Sequence, residues 1–308
     1  MKTGFQNKNW SSSTEEGSYS QTRLPIARLQ SLMEVISKYK VLVMGDGIID
    51  EYVYVQPQGK SPKENIISNR ILSSERFRGG VWAAKAHLGY FVRDVWLHEG
   101  CVTTIKRRFV EHTYTRKLFE TYEDEKSAQE IAPDPAGFDL CIVTDFGHGC
   151  LTPQLIERLT ASQTFLAVNA QTNSANLGFN LITKYPRADY VVLDELEARL
   201  AAHDRDSDIK DVILKLGFQR IIVTLGPRGA IGYDGEFHQA AGEGGKIVDT
   251  MGAGDAFFCV TAPFACAGAT MPELLAIGNA AGAIKCQVVG HRQSVTKEAL
   301  VQHLVSGI

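Results

Sequence analysis

The sequence predicts an α/β protein: a three-layer α/β/α sandwich with a mostly parallel central sheet and a small β lid. Three observations predict it. Short continuous apolar runs recur along the chain, as strands covered on both faces require. Helical patterns separate those runs, which implies parallel pairing through right-handed crossovers. Two stretches of short alternation then break the rhythm, as inserted ribbons would. With 308 residues, 44% hydrophobic and 22% charged, the chain has ordinary globular proportions and fits one core with an appendage. A formal charge of -3 lacks the basic footprint that nucleic acid or an anionic membrane demands, so neither is an expected partner.

Taken in order, residues 1–24 carry Ser11, Ser12, Ser13, Glu15, Glu16, Gly17 and Ser18 with few apolar anchors, and read as a flexible tail before a domain at 25–308. No apolar run approaches the ~18–20 residues of a membrane span, and the first 25 residues are polar where a signal peptide would be apolar. A cytoplasmic location is the expectation. From Leu24 to Tyr39, Ile26, Leu29, Leu32, Met33 and Ile36 fall at helical spacing, and Val41–Met44 then makes a short strand ending at Gly45. Further strands are expected at Leu140–Val143, Phe165–Val168, Tyr190–Leu193 and Ile221–Thr224. Thr152 as N-cap with Pro153 at the first helical position opens a helix through Leu155, Ile156 and Leu159. The alternations within residues 51–78 and 102–122 are expected to form the lid. Six scattered cysteines without a C-x-x-C pair read as buried reduced thiols, and the eight histidines show no metal-ligand spacing.

The most informative stretch is Asp249-Thr250-Met251-Gly252-Ala253-Gly254-Asp255, which enters an apolar helical run reaching about Ala267. Glycines at a helix entrance let backbone approach a ligand closely, and the unpaired N–H groups there favour an anion. An Asp at the same entrance can take a proton from an alcohol while the amides stabilise a transferring phosphoryl group. Alone, the tetrapeptide Gly-Ala-Gly-Asp would read as a turn and cap.

In context, the chain resembles the ribokinase-like sugar kinases of the phosphofructokinase B type, whose late D-T-x-G-A-G-D signature matches Asp249–Asp255. Gly45-Asp46 and Asp50 after the first strand, Gly79-Gly80 before a helix, and Thr224-Leu225-Gly226-Pro227-Arg228-Gly229 extend the match. Gly45–Tyr52, Ser61-Pro62 and Thr144–Pro153 make it most similar to the kinase module of heptose 7-phosphate kinases. The resemblance implies Asp255 as general base, with Gly252, Ala253 and Gly254 at the anion hole that the amides of Ala253, Gly254 and Asp255 form. It also implies ATP and Mg2+ as cofactors, with a monovalent cation such as K+, while the exposed edges of the lid ribbons suit pairing with a second subunit's lid in a homodimer.

Asp46 and Asp50 leave the carboxyl end of the first strand, where open α/β sheets bind ligands, and their oxygens suit sugar hydroxyls. Turn and helix-cap roles stay open, more so for Asp46. Gly79 and Gly80 join them as acceptor-site residues. Thr224, Gly226 and Gly229 can wrap a nucleotide phosphate, with Arg228 as charge partner. Asn279 matches an adenine-pocket position or packs its helix. Asp194 stands where the family carries the Asn of an Asn-x-x-Glu pattern that holds magnesium through water, which makes Glu197, with Asp249, a metal candidate; a solvated first helical turn is the alternative.

The chain departs from the heptose-kinase pattern where Ala83 replaces an Asn, and where Val168-Asn169-Ala170-Gln171 replaces Val-Asp-Pro-Lys. His148 replaces a Lys and reads either as a phosphate contact or as a loop residue. Lys106, Arg108 and Arg116 on the lid are the cations that could meet a sugar phosphate instead; otherwise they are solvated charges. The expected activity is transfer of the ATP γ-phosphate to a hydroxyl of a sugar or sugar phosphate, most closely a heptose 7-phosphate-like acceptor giving a 1,7-bisphosphate. The rival is a catalytically impaired relative acting as a ligand-binding regulatory or scaffold partner.

Overall fold

The computed structural model describes residues 24–127, 131–174, 176–244 and 247–306. All of the expected tail except Leu24 therefore lies outside the described residues. The chain runs α1 (Ile26–Ile36), β1 (Lys40–Lys60), β2 (Ile67–Gly80), α2 (Val81–Leu88), β3 (Asp94–Glu111), β4 (Arg116–Lys126), β5 (Leu140–Asp145), α3 (Pro153–Ala161), β6 (Phe165–Ala170), β7 (Tyr190–Asp194) and α4 (Glu195–Ala201). It continues with α5 (Ile209–Leu216), β8 (Ile221–Thr224), β9 (Ala230–Tyr233), β10 (Phe237–Ala240), α6 (Ala253–Cys266), α7 (Met271–Cys286) and α8 (Lys297–Ser306).

The strands form one sheet of order β10-β9-β8-β7-β6-β5-β1-β3-β4, with β2 paired to β1. Pairing is parallel from β3 through β1, β5, β6 and β7 to β8, and antiparallel for β8–β9, β9–β10, β1–β2 and β3–β4. Alternation along each strand supplies the two layers. Val41 and Val43 face a core built with α1, α2, α6 and α7, whereas Leu42 and Met44 face the core under α3, α4 and α5. Leu140 and Ile142 divide from Cys141 and Val143 in the same way. The helix opened by Thr152 forms as its residues dictate, with the Thr152 hydroxyl accepting from Leu155 N at 3.3 Å.

One expectation is corrected in extent. The first strand does not stop at Gly45 but runs 21 residues to Lys60. Up to Gly45 it is flanked by β3 and β5; from Gly47 the antiparallel β2 takes the place of β5. Residues 51–78 and 102–122 thus lie in two ribbons that continue core strands beyond the sheet's carboxyl edge. The cysteines are all free, but Cys101, Cys266 and Cys286 are half-buried rather than buried. Among the described residues no helix is long and apolar enough to cross a membrane.

Candidate active site

Two cavities meet at the start of α6, beyond the carboxyl ends of the parallel strands. The larger, about 730 Å3, is lined by Asp50, Gly80, Lys106, Arg108, His148, Gln171, Gly252, Asp255 and His291 with apolar neighbours such as Phe146, Leu177 and Met251. The smaller, about 260 Å3, is lined by Thr224, Gly226, Gly229, Ala253, Gly254 and Asn279. Consecutive residues of one helical turn therefore face opposite chambers: Gly252 and Asp255 one, Ala253 and Gly254 the other.

Gly252 supplies the turn into α6 from the left-handed region, at φ +73, where glycine is favoured. No side chain caps the helix. The Ala253 amide reaches back to Thr250 O at 3.3 Å, so the anion hole expected from three amides narrows to those of Gly254 and Asp255, which have no backbone partner among the described residues. The Asp255 carboxylate is half-buried on the chamber wall, and desolvation there holds its pKa above the usual aspartate value; His291 and the Gln171 amide pull the other way, while Asp50 adds to the rise. Gln171 Nε2 donates to Asp255 Oδ1 and, at 2.7 Å, to Asn169 Oδ1.

Asp50 sits deep in the acceptor chamber. Arg108 Nη1 donates to its Oδ1, and His291 Nε2 lies 3.4 Å from its Oδ2. Burial pushes the Asp50 carboxyl up, but His291 and Arg108 outweigh it and hold the pKa below the usual value. Arg108 is thus committed to Asp50 rather than free for a phosphate. Lys106 also reaches the chamber, with Glu120 at 3.7 Å as a loose partner. His291 was not singled out by sequence reasoning; a lone histidine after a helix carries no signal. Its ring is wedged between two glycines that were: a Cβ on Gly79 would come 3.2 Å from Nε2, and one on Gly252 2.9 Å from Cε1. Gly80, at φ +56, lines the chamber itself.

The structure moves several expected residues out of the site. Asp46 is fully buried and accepts from Phe146 N at 2.8 Å and Cys150 N at 2.9 Å, so it fastens the loop after β5 instead of facing sugar. Burial raises its pKa, against the pull of the Cys150 amide. Arg116 lies at the exposed end of the β3–β4 ribbon, 5.5 Å over the Tyr114 ring, and is not on the chamber wall. Arg228 is ion-paired with Glu195 and lines neither chamber, although its neighbours Gly226 and Gly229 do. His148, with a loop role left open, does line the larger chamber.

The residues expected to hold magnesium are each engaged by backbone amides. Asp194 caps α4 through Glu197 N at 2.7 Å, while Glu197 accepts from Asp194 N at 2.8 Å and Thr172 N at 3.0 Å. Burial, and then the Asp194 charge, raise the Glu197 carboxyl to about 8. Asp249 accepts from Met251 N at 3.1 Å and Gly290 N at 3.0 Å. Among the described residues no group of three or more His, Cys, Asp or Glu side chains could hold a metal ion.

Comparison with known proteins fits this geometry. Bifunctional protein HldE from Hyphomonas neptunium is 23% identical over 304 residues, covering 84% of this chain and 62% of its own length. The chain thus spans about three fifths of the length of that relative. Fructoselysine 6-kinase from Escherichia coli is 43% identical over 82 residues, 25% of this chain and 30% of that one. Among solved structures, Arabidopsis thaliana ribokinase complexed with ribose and ATP matches with a TM-score of 0.65 at 16% identity, covering 87% of this chain and 99% of that one, a likeness of fold. Residues 153–298 match the pfkB family carbohydrate kinase, a span that holds the whole α6 entrance. Residues 153–298 thus match that carbohydrate kinase family, and the chain as a whole has a ribokinase-like fold.

Proposed function

We propose that this protein is an ATP-dependent sugar kinase. The observation that carries the reading is the placement of Asp255 and Gly254 on one helical turn between a polar acceptor chamber and a smaller, glycine-lined chamber. The nucleotide occupies the smaller chamber, with its phosphates along Gly226, Gly229 and the α6 entrance and its base toward Asn279. The acceptor sugar occupies the larger. Asp255 takes the proton as the hydroxyl O–H bond breaks, a new O–P bond forms, and the bond between the γ-phosphorus and the ADP oxygen breaks. The amides of Gly254 and Asp255 face the charge on the transferring group. No protein residue is assigned to magnesium, which ribokinase-family enzymes usually use with ATP.

Within sugar kinases, the finer reading is a heptose 7-phosphate-like acceptor phosphorylated to a 1,7-bisphosphate, supported by the 23% identity to HldE across 84% of the chain. Lys106 is the cation for the distal phosphate, since Arg108 is spent on Asp50. A fructosamine-type acceptor is the second reading, favoured by the 43% identity to fructoselysine 6-kinase over 82 residues. An ADP-release assay over a panel of heptose 7-phosphate, its dephosphorylated form, fructoselysine and common hexoses tests both. Turnover with one of them supports the kinase; no turnover, with no thermal stabilisation by ATP, would favour the ligand-binding scaffold instead.

A further inference from the structure

Gln171 follows β6 directly, and nearly all of its polar groups are committed. Its backbone N–H donates to Asp145 O at 2.7 Å, and its carbonyl accepts from Asn180 Nδ2 at 3.0 Å. Asn169, inside β6, is anchored in turn: its Nδ2 donates to Val192 O at 2.8 Å, which leaves Oδ1 facing Gln171. The Gln171 Nε2 donates one hydrogen to that oxygen and the other to Asp255 Oδ1. A carboxylate can only accept, so chemistry fixes the amide's orientation. With both hydrogens used, Oε1 is the remaining group, on a residue that lines the acceptor chamber.

We propose that Gln171 is a positioning residue for the base and, through Oε1, the group that selects an acceptor carrying a second hydroxyl beside the reacting one. The inference rests on the kinase reading and narrows its substrate class. Holding Asp255 by Oδ1 leaves Oδ2 to receive the proton. Oε1 beside it is a bare acceptor, so it binds a neighbouring hydroxyl, which can donate, and disfavours a phosphate or carboxylate, which cannot. Any anionic group of the substrate then belongs elsewhere on the chamber wall, where Lys106 is a cation.

The test compares Q171M, which keeps the length of the side chain without its hydrogen bonds, with N169A, which removes only the far anchor. The Asp255 signal, identified in 13C-aspartate NMR by its loss in D255N, should titrate at higher pH in Q171M than in the wild type, and by a smaller step in N169A, because the amide favours the carboxylate. In turnover, Q171M should lose about ten- to a hundredfold in kcat with KM for ATP unchanged. Removing the neighbouring hydroxyl from the sugar should cost the wild type about tenfold or more in kcat/KM and Q171M no more than a few-fold. An unmoved titration in both variants overturns the positioning role, and equal discrimination against the deoxy sugar overturns the selecting role. Should no sugar be phosphorylated by the wild type, the kinase reading falls, while the titration still decides whether Gln171 holds Asp255.

Discussion

At the residue scale, Asp255 carries the strongest prediction. Replacing it by Asn keeps the shape of the side chain but removes its basicity, so D255N should lower turnover roughly 10²- to 10⁴-fold with ATP affinity nearly intact. A base works only when deprotonated, and burial raises this one, so kcat/KM of the wild type should climb with pH through a midpoint above the ordinary aspartate value. D255N should lose that acidic limb; full turnover in the variant would refute the assignment. Lys106 gives a second prediction. It is the chamber cation with the loosest partner, so K106M should raise KM for a phosphorylated sugar about tenfold or more and barely change it for the dephosphorylated one. Equal effects on both sugars would point to a neutral acceptor. The α6 entrance was legible because Gly252, Gly254 and Asp255 fall within four residues, but their roles at a site came from the family resemblance and not from that spacing. The grip on Asp50 was not legible, since Arg108, His291 and Asp50 come from three distant segments. Asp46 shows the converse: a carboxylate in the expected place whose oxygens are both taken by loop amides.

At the element scale, α6 and α7 must lie close for the α6 entrance to stand where it does. Gly278 in α7 permits this, for a Cβ there would come within 2.5 Å of Phe257 Cε1 and Cε2 in α6. Alanine in a helix interior gains ~0.5–1 kcal/mol over glycine, but overpacking a buried ring costs ~1–3 kcal/mol. The clash wins, so G278A should lower the urea midpoint and, by pushing α6, weaken ATP binding as well. An unchanged midpoint would show that the helices part without cost. The elements were read best where burial is two-sided: the apolar runs of β5, β6, β7 and β8 announce themselves. The full length of β1 did not, because beyond Gly45 its residues include Gly47, Asp50 and Glu51, which carry weak strand propensity. Pairing on both sides, to β2 and β3, overrides that local preference.

For the whole molecule, the long strand decides how a lid could work. Because β1 passes unbroken from the sheet into the ribbon, lid and core share a backbone, and any closure must bend that strand rather than swing on a loop. The register between β1 and β3 slips between Gly45 and Gly47, at the point where β2 replaces β5 as the second neighbour. A register slip of this kind weakens the ladder locally and makes it the natural place to bend. Asp50, just beyond it, is tied to His291 next to the α6 entrance, so sugar bound between them would draw the ribbon inward. The ribbons also leave β2 and β4 as edges, with Ile67 and Ile71 61% and 63% exposed. Apolar side chains on open edges invite a second copy. Two outcomes are expected together. Sedimentation should show a dimer that the double variant I67D/I71D converts to a monomer, and saturating sugar should slow hydrogen exchange across residues 47–60 and 67–80 more than ATP alone does. A monomer at every concentration would reject the ribbon interface, and exchange indifferent to sugar would reject the lid.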